Sequence, residues 1–547
     1  MDRRTFLFIA LSVFIVFAYQ ELVLKRMGPP PRPFPAASPG AAGGPAEGAG
    51  AVPTPAAGEQ AGGATGATAQ QVESPESGSG NEATPLEGRR ITIDTDLYTA
   101  VLSTIGGRLE RVALKRYRAS IDPDSPPLEL IVPGPDLELP MGLELSTGSA
   151  TWSDRRVRYE SSAVDTTVTG DEQTTVELRA TANGGPVVKR LVFTGDRYPI
   201  DLTVEAPESA SQLALVWSKG LIAHVVQARV FEGAAALVGT KLVQTDVKTL
   251  TTGPKTLDGD IVWSGYEDQY FLSAVAPEQS PSLTISQHDA TIDTRILAPP
   301  HATSAPVKYT LYLGPKDLKV LAAADHEFIR AVNLGWFGAI SLVLLKVLTA
   351  SHRVTHNYGI DIIVLTLLTK VAFWPLSQRS YKSMREMQKL QPQLTKIREK
   401  FKDDPKQMNT EIMELYRRHK LNPLGGCLPM LLQIPVFFGL YQALANAIEL
   451  RHAPFAFWVH DLSAPERLQV LGIGIPVLTI LLGVSMFFQQ RMTPQSGDPA
   501  QQKVMMFMPL VFTYMFIGFP AGLTLYWLTN NVLTIVQQYF VTRSVPT

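Results

Sequence analysis

Apolar and polar positions are distributed very unevenly along the chain. Residues 5–19 and most of the last third read as long apolar runs, whereas residues 91–320 read as short alternating segments. "ITIDTDLYTAVLS", "PIDLTVEA", "QLALVW" and "VKYTLYLGP" carry the period-two pattern of half-buried strands. "TTVELRATA" and "VVKRLVFTG" flank Asn183-Gly184-Gly185-Pro186, which predicts a hairpin. Many short strands with little helical periodicity predict a β-sandwich over 91–325.

The apolar runs predict helices long enough to cross a bilayer. The first follows Arg3 and Arg4 and lacks a small-residue cleavage site, so residues 1–27 read as an uncleaved anchor with its N-terminus in the cytoplasm. Residues 28–90 are almost all Pro, Ala, Gly, Ser, Thr and Glu and predict a disordered tether, its ends about 40–50 Å apart as a flexible coil. Further spans are predicted at 358–376, 425–444, 470–488, 504–518 and 519–541, the last two joined by "GFPAG".

Charge decides the topology. Residues 377–424 hold Arg379, Lys382, Arg385, Lys389, Lys396, Arg398, Lys400, Lys402, Lys406, Arg417, Arg418 and Lys420, so this segment belongs in the cytoplasm. Were 331–350 also a span, the segment would lie outside. Residues 326–357 are therefore predicted as an amphipathic helix in the outer interface, with Trp336 and Phe337 dipping into lipid. Six spans result, with loops at 445–469 outside and 489–503 inside and a cytoplasmic tail at 542–547. Within the basic segment, Met384, Met387, Leu390, Leu394, Ile397 and Phe401 recur at helical spacing. Asp403-Asp404-Pro405 breaks the run, and Met408, Ile412, Leu415 and Tyr416 begin a second helix. A mobile helical hairpin is expected.

The balance of 49 Lys+Arg against 50 Asp+Glu gives no basic excess for nucleic-acid binding. One cysteine, Cys427, excludes an internal disulfide and a cysteine-based zinc site. There is no HExxH, GxSxG or Walker loop, so no catalytic residue, cofactor or metal is expected. His352 and His356 lie four apart without a third ligand and read as an interfacial pair; Asp461 reads as a loop cap.

Lys370 carries the sharpest question. It stands in "LTLLTKVAFWPL", where an ammonium costs about 2.5–3.5 kcal/mol on insertion scales at a bilayer centre. It lies about 10 Å from the end of its span, so it can snorkel part of the way to the interface. Against plain snorkelling, Thr366 shares its face one turn earlier, and other spans carry Gln433, Thr513, Tyr514, Thr524, Tyr526, Thr529, Asn530 and Asn531. Polar groups together with a charge favour a water-filled cavity between helices. The third predicted span offers Met430, Leu431, Ile434 and Phe437, and the fifth Met505, Met506, Met508, Phe512, Met515 and Phe516. Both sets read either as a soft binding surface or as lipid-facing filler.

"NPLGGCLPMLLQIPVFFGLYQAL", "LQPQLTKIREKF", "APFAFWVHDLS" and "QQKVMMFMPLVFTYMFIGFPAGLTLYWLTNN" resemble the YidC/Oxa/Alb family of membrane protein insertases, densely over 330–541. The anchor, "IGGRLERVALKRY" and "YEDQYFLSAVAP" resemble the Gram-negative form with its large periplasmic domain. The resemblance implies a polytopic α-helical membrane protein of the bacterial inner membrane, with a five-helix insertase core and a periplasmic β-supersandwich. It implies insertion and folding of nascent membrane proteins, alone or with the Sec translocon (SecYEG, SecDF), with ribosome contact through the cytoplasmic hairpin and tail and no specific nucleic-acid sequence. It also implies a hydrated cationic groove open to cytoplasm and lipid. Lys370 occupies the family's arginine position, which keeps the charge but loses the planar fork. Lys370, Thr366, Gln433, Tyr526 and Asn530 are then the expected groove residues. Met430, Leu431, Ile434, Phe437, Phe512, Met515 and Phe516 are the expected apolar slide. A small-solute transporter and a glycan-binding membrane receptor are the competing readings.

Overall fold

The computed structural model describes residues 88–134, 137–147, 150–182, 185–220, 231–288, 291–299, 305–419, 421, 428–492 and 499–544. The anchor at 1–27, the tether up to residue 87, Cys427 and the side chains of Met430 and Leu431 lie outside the described residues.

Residues 90–315 form three sheets of five, eight and six strands. Pairing is antiparallel throughout the described strands except where Arg90–Thr95 meets Thr166–Val168 in parallel. The expected hairpin is present: Gln173–Ala182 pairs with Gly185–Thr194, closing at Ala182 and Gly185. Alternation puts every second side chain inside, and in the central strand Phe271–Pro277 both faces are buried. Trp217, Trp263, Phe193 and Tyr312 fill the space between sheets.

A buried polar cluster joins the three sheets. Lys189 donates to the carbonyls of Gly106 at 2.7 Å and Met141 at 2.6 Å and pairs with Asp154 at 2.7 Å. Asp154 also receives Arg108 at 3.1 Å and the Tyr159 hydroxyl at 3.2 Å. Burial pulls the Lys189 ammonium down to about 8, with Asp154 opposing that shift. Removing one partner of such a cluster strands a buried charge.

Beyond the sheets lie eight principal helices among the described residues: α1 (Gly338–Thr355), α2 (Tyr358–Lys389), α3 (Gln391–Lys400), α4 (Pro405–Arg418), α5 (Leu428–Asn446), α6 (Val477–Met492), α7 (Pro499–Phe516) and α8 (Ala521–Ser544). Neighbours pack in the order α5, α1, α2, α8, α6, α7. Of the described helices, α2 alone is long and apolar enough to cross a bilayer by length and composition; α6 and 506–516 are shorter apolar helices. The sheets and the helices are fastened together at 445–451. Gln269 donates to the Ala445 carbonyl at 2.7 Å, Arg451 donates to the Arg118 carbonyl at 2.8 Å, and Ile448 enters the sheet core.

Several sequence boundaries move. The helix expected over 358–376 continues to Lys389, past Pro375, and turns only before Pro392. The span expected over 470–488 begins instead at Val477. Residues 468–475 form a small hairpin, because Gly472, Gly474 and Pro476 oppose helix while leaving the run apolar. The basic segment does hold two helices around Asp404, whose carboxylate caps α4 by accepting from Lys406 and Gln407 amides. Trp336 is exposed, whereas Phe337, expected to face lipid, stacks on Phe438 of α5 with ring centroids 6.3 Å apart.

Candidate substrate groove

The helices are packed differently at their two ends. Near the sheets the core is mainly apolar, with Leu344 and Leu348 of α1, Ile362 and Leu365 of α2, Leu440 and Leu444 of α5, Leu482 of α6 and Leu523 of α8, and the buried Asp361, Thr366 and Glu466 there are hydrogen-bonded. Toward the far end this changes. No α2 side chain from Leu367 to Leu376 is buried, and the next buried ones are Ser377 and Ser380. On α8 the buried residues past Tyr526, among those whose side chains are described, are all polar: Asn531, Thr534, Gln537 and Gln538.

Lys370 lies at this change. Its ammonium donates to the Thr534 hydroxyl of α8 at 2.6 Å. Thr534 in turn donates its proton to the Asn530 carbonyl at 2.6 Å, so lone pairs face the lysine. No carboxylate pairs with Lys370 among the described residues. Thr366, expected beside it, is fully buried and donates to the Ile362 carbonyl of its own helix. Gln433 of α5 donates to the Tyr526 hydroxyl at 3.1 Å and to Asn530 at 3.4 Å, so Gln433, Tyr526 and Asn530 do come together.

Thr534 and Gln537 were absent from the sequence-derived set. With Tyr526 and Asn530 they make a polar stripe at helical spacing on α8, a signal present in "YWLTNNVLTIVQQ". Gln537 is 0 % exposed, and neither of its amide atoms meets a hydrogen-bond partner among the described residues. Asn531 and Gln538 turn the other way, to Ser485 and the Met492 carbonyl.

The apolar set divides. Ile434 is exposed, and Phe437, Phe512 and Met515 are partly so. Phe516 is 1 % exposed and packs on Trp527 and Phe519 in the core, so it offers no binding surface. Among the described side chains of α7, the large exposed ones are Met506, Phe507, Leu510, Val511 and Tyr514. Outside the groove, Asp461 caps its loop by accepting from the Ser463 amide at 2.8 Å and the His452 amide at 3.2 Å. His352 pairs with the buried Asp361 at 2.9 Å and also meets the His356 ring edge-on, with centroids 6.3 Å apart.

Comparison with known proteins gives this architecture a class. Residues 350–547 match the family described as "60Kd inner membrane protein", and residues 90–347 match "YidC periplasmic domain". The chain is 40% identical over 482 residues to the membrane protein insertase YidC of Geotalea daltonii, covering 85% of this chain and 89% of that one. It is 37% identical over 570 residues to the insertase of that name from Syntrophus aciditrophicus, covering 99% and 100%. A crystal structure titled "Active YidC insertase crystal structure with the first transmembrane domain resolved" aligns over 82% of this chain and 92% of that one, with TM-score 0.37 and 18% identity. The chain therefore belongs to the YidC family of membrane protein insertases, of the form that carries a periplasmic domain. Its class is that of an inner-membrane insertase and not an enzyme.

Proposed function

We propose that this chain inserts newly made proteins into the inner membrane through a groove between α2, α5 and α8, charged by Lys370. The observation that carries the reading is the change from apolar to polar packing along α2 and α8, with a lysine at the change. Buried polar groups in a bilayer are costly unless partners or water satisfy them. The open stretch of α2 and the unpartnered Gln537 amide suit water entering from the end that bears the basic α3–α4 hairpin.

A substrate's short polar tail enters this groove and crosses a thinner apolar barrier. Its apolar segment leaves along α5 and α7 into lipid, driven by burial at about 25 cal/mol per Å². Membrane potential assists an acidic tail by about 2.3 kcal/mol per charge per 100 mV. No covalent step is required. The positive-inside rule, applied to the basic hairpin, supports six spans with both termini in the cytoplasm and the sheets in the periplasm. The basic hairpin and tail are suited to ribosomes or substrates, and the Sec translocon is a proposed partner.

The experiment is complementation. A Gram-negative cell depleted of its own insertase receives this chain from a plasmid, and translocation of a Sec-independent substrate's outer loop is scored by protease access. Translocation should return to near the undepleted level. No rescue, with the chain present in the membrane, would overturn the reading.

The lysine's partner can be tested separately. Thr534→Val keeps the side chain's shape but removes the acceptor, so the ammonium loses its fixed position. Interhelical hydrogen bonds of this kind are worth about 0.6 kcal/mol on average and up to about 1.7 kcal/mol. A several-fold slower translocation at unchanged accumulation is expected, with Thr534→Ser near wild type. Equal rates for Val and wild type would show that the bond does not matter to insertion.

A further inference from the structure

The hairpin that replaces the start of the fourth predicted span has an unusual tip. Leu468–Val470 pairs with Ile473–Ile475, with Val470 opposite Ile473. The two connecting residues, Leu471 and Gly472, have φ of 51° and 80°. Two positive φ values define the tight turn that suits a two-residue hairpin, and its first position favours Asn, Asp or Gly. Leucine is strained there. Leu471 is nevertheless 99% exposed and Ile473 68%, with Val470 also exposed. Neither turn chemistry nor packing among the described residues accounts for an apolar side chain at that position.

The base of the hairpin is polar and fixed. The Glu466 carboxylate is buried and accepts from the Trp458 indole N–H at 2.9 Å and the Thr479 amide at 3.4 Å. Arg467 donates to the Ile517 carbonyl at the end of α7 at 2.9 Å. The hairpin is thus held against α6 and the α7–α8 turn. Its tip, residues 470–475, carries no charge. Helix α6 starts two residues later, and its exposed Ile480, Leu481, Val484 and Phe488 extend the apolar surface away from the tip. Exposed Trp336 and Phe457 belong to the segments at this same end of the helices. Aromatic residues in such places anchor proteins at the membrane–water interface.

We propose that residues 470–475 form a finger that dips into the outer leaflet, with Val470, Leu471 and Ile473 at the boundary between headgroups and acyl chains. The occupant of this surface is lipid, because the uncharged tip is continuous with the exposed apolar side of α6. The finger fixes the depth of α6 in the membrane and, through Arg467, that of the α7–α8 turn. The inference rests on the proposed orientation, which places residues 445–476 on the outer side.

The test uses the full chain with Cys427→Ser and one new cysteine, Leu471→Cys or Ile473→Cys, carrying an environment-sensitive nitrobenzoxadiazole. The protein is reconstituted in phosphatidylethanolamine–phosphatidylglycerol vesicles. Blue-shifted emission, quenched at least about threefold more by lipid bearing a shallow nitroxide than by aqueous iodide, is expected at both positions. Water-like emission with strong iodide quenching would overturn the proposal. So would a blue shift that fades as the protein is diluted in lipid, which would assign the surface to a second copy. Burial insensitive to both nitroxide lipid and dilution would assign it to this chain and overturn it too. A reference label at Asp403→Cys should respond to iodide from the opposite face of the vesicle. If both labels lie on one side the orientation fails, while nitroxide contact at 471 is read independently.

Discussion

Lys370→Glu should abolish insertion of Sec-independent substrates in the depleted cell while the protein accumulates normally. Thr534 spends its one proton on the Asn530 carbonyl and turns lone pairs toward residue 370. An ammonium fits those lone pairs and a carboxylate does not. The substitution also reverses the charge that meets an acidic tail. Two unit charges 4 Å apart interact by about 4 kcal/mol at an effective dielectric constant of 20. A tenfold loss needs only about 1.4 kcal/mol, so a loss well beyond tenfold is expected. Lys370→Arg keeps the charge and should retain most activity. Wild-type translocation by the Glu variant would show that the lysine only snorkels to the interface.

Gly359→Leu should prevent accumulation of the chain. Gly359 lies in the first turn of α2, and a Cβ there would stand 2.0 Å from Cδ2, 2.3 Å from Cγ and 2.7 Å from Cβ of Phe455. Phe455 has little freedom to withdraw. Its amide donates to the Val459 carbonyl at 3.0 Å, and its own carbonyl receives the Asn357 side-chain amide at 2.9 Å. Asn357 is also the cap of α2, accepting from the Gly359 amide at 2.9 Å. Displacing the ring therefore disturbs the helix start and the outer loop together. Overpacking costs about 1–3 kcal/mol where the surroundings can adjust and more where they cannot. Steady-state protein should fall to about a fifth of wild type or less, as expected for a loss near the top of that range. Gly338→Ala, whose Cβ would meet Leu334 at an ordinary 3.4 Å, should accumulate normally. Equal levels for Gly359→Leu and wild type would refute the close packing.

The groove illustrates how far a single sequence reaches. Lys370 was visible because an ammonium in an apolar run demands an explanation. Gln433, Tyr526 and Asn530 were visible for the same reason, and they meet in the structure. Thr534 was not, since a threonine near the end of an apolar helix is ordinary; only the approach of α2 to α8 makes it the lysine's partner. Phe516 shows the opposite case. Its place in a Met- and Phe-rich run suggested a surface, but the rotation of α7 carries it into the core and leaves Leu510 and Val511 outside.

The sequence by itself determined the division into a sheet-rich region and a helical one, the pairing of Gln173–Ala182 with Gly185–Thr194 and the break at Asp404-Pro405. These follow from side-chain period, turn chemistry and helix caps, which act between residues close in the chain. Tertiary structure alone decided which face of each helix is buried and that Lys370 meets Thr534 across 164 positions. Those outcomes depend on which helices become neighbours and on their rotation about their own axes. Both are set by long-range packing, which local periodicity does not encode.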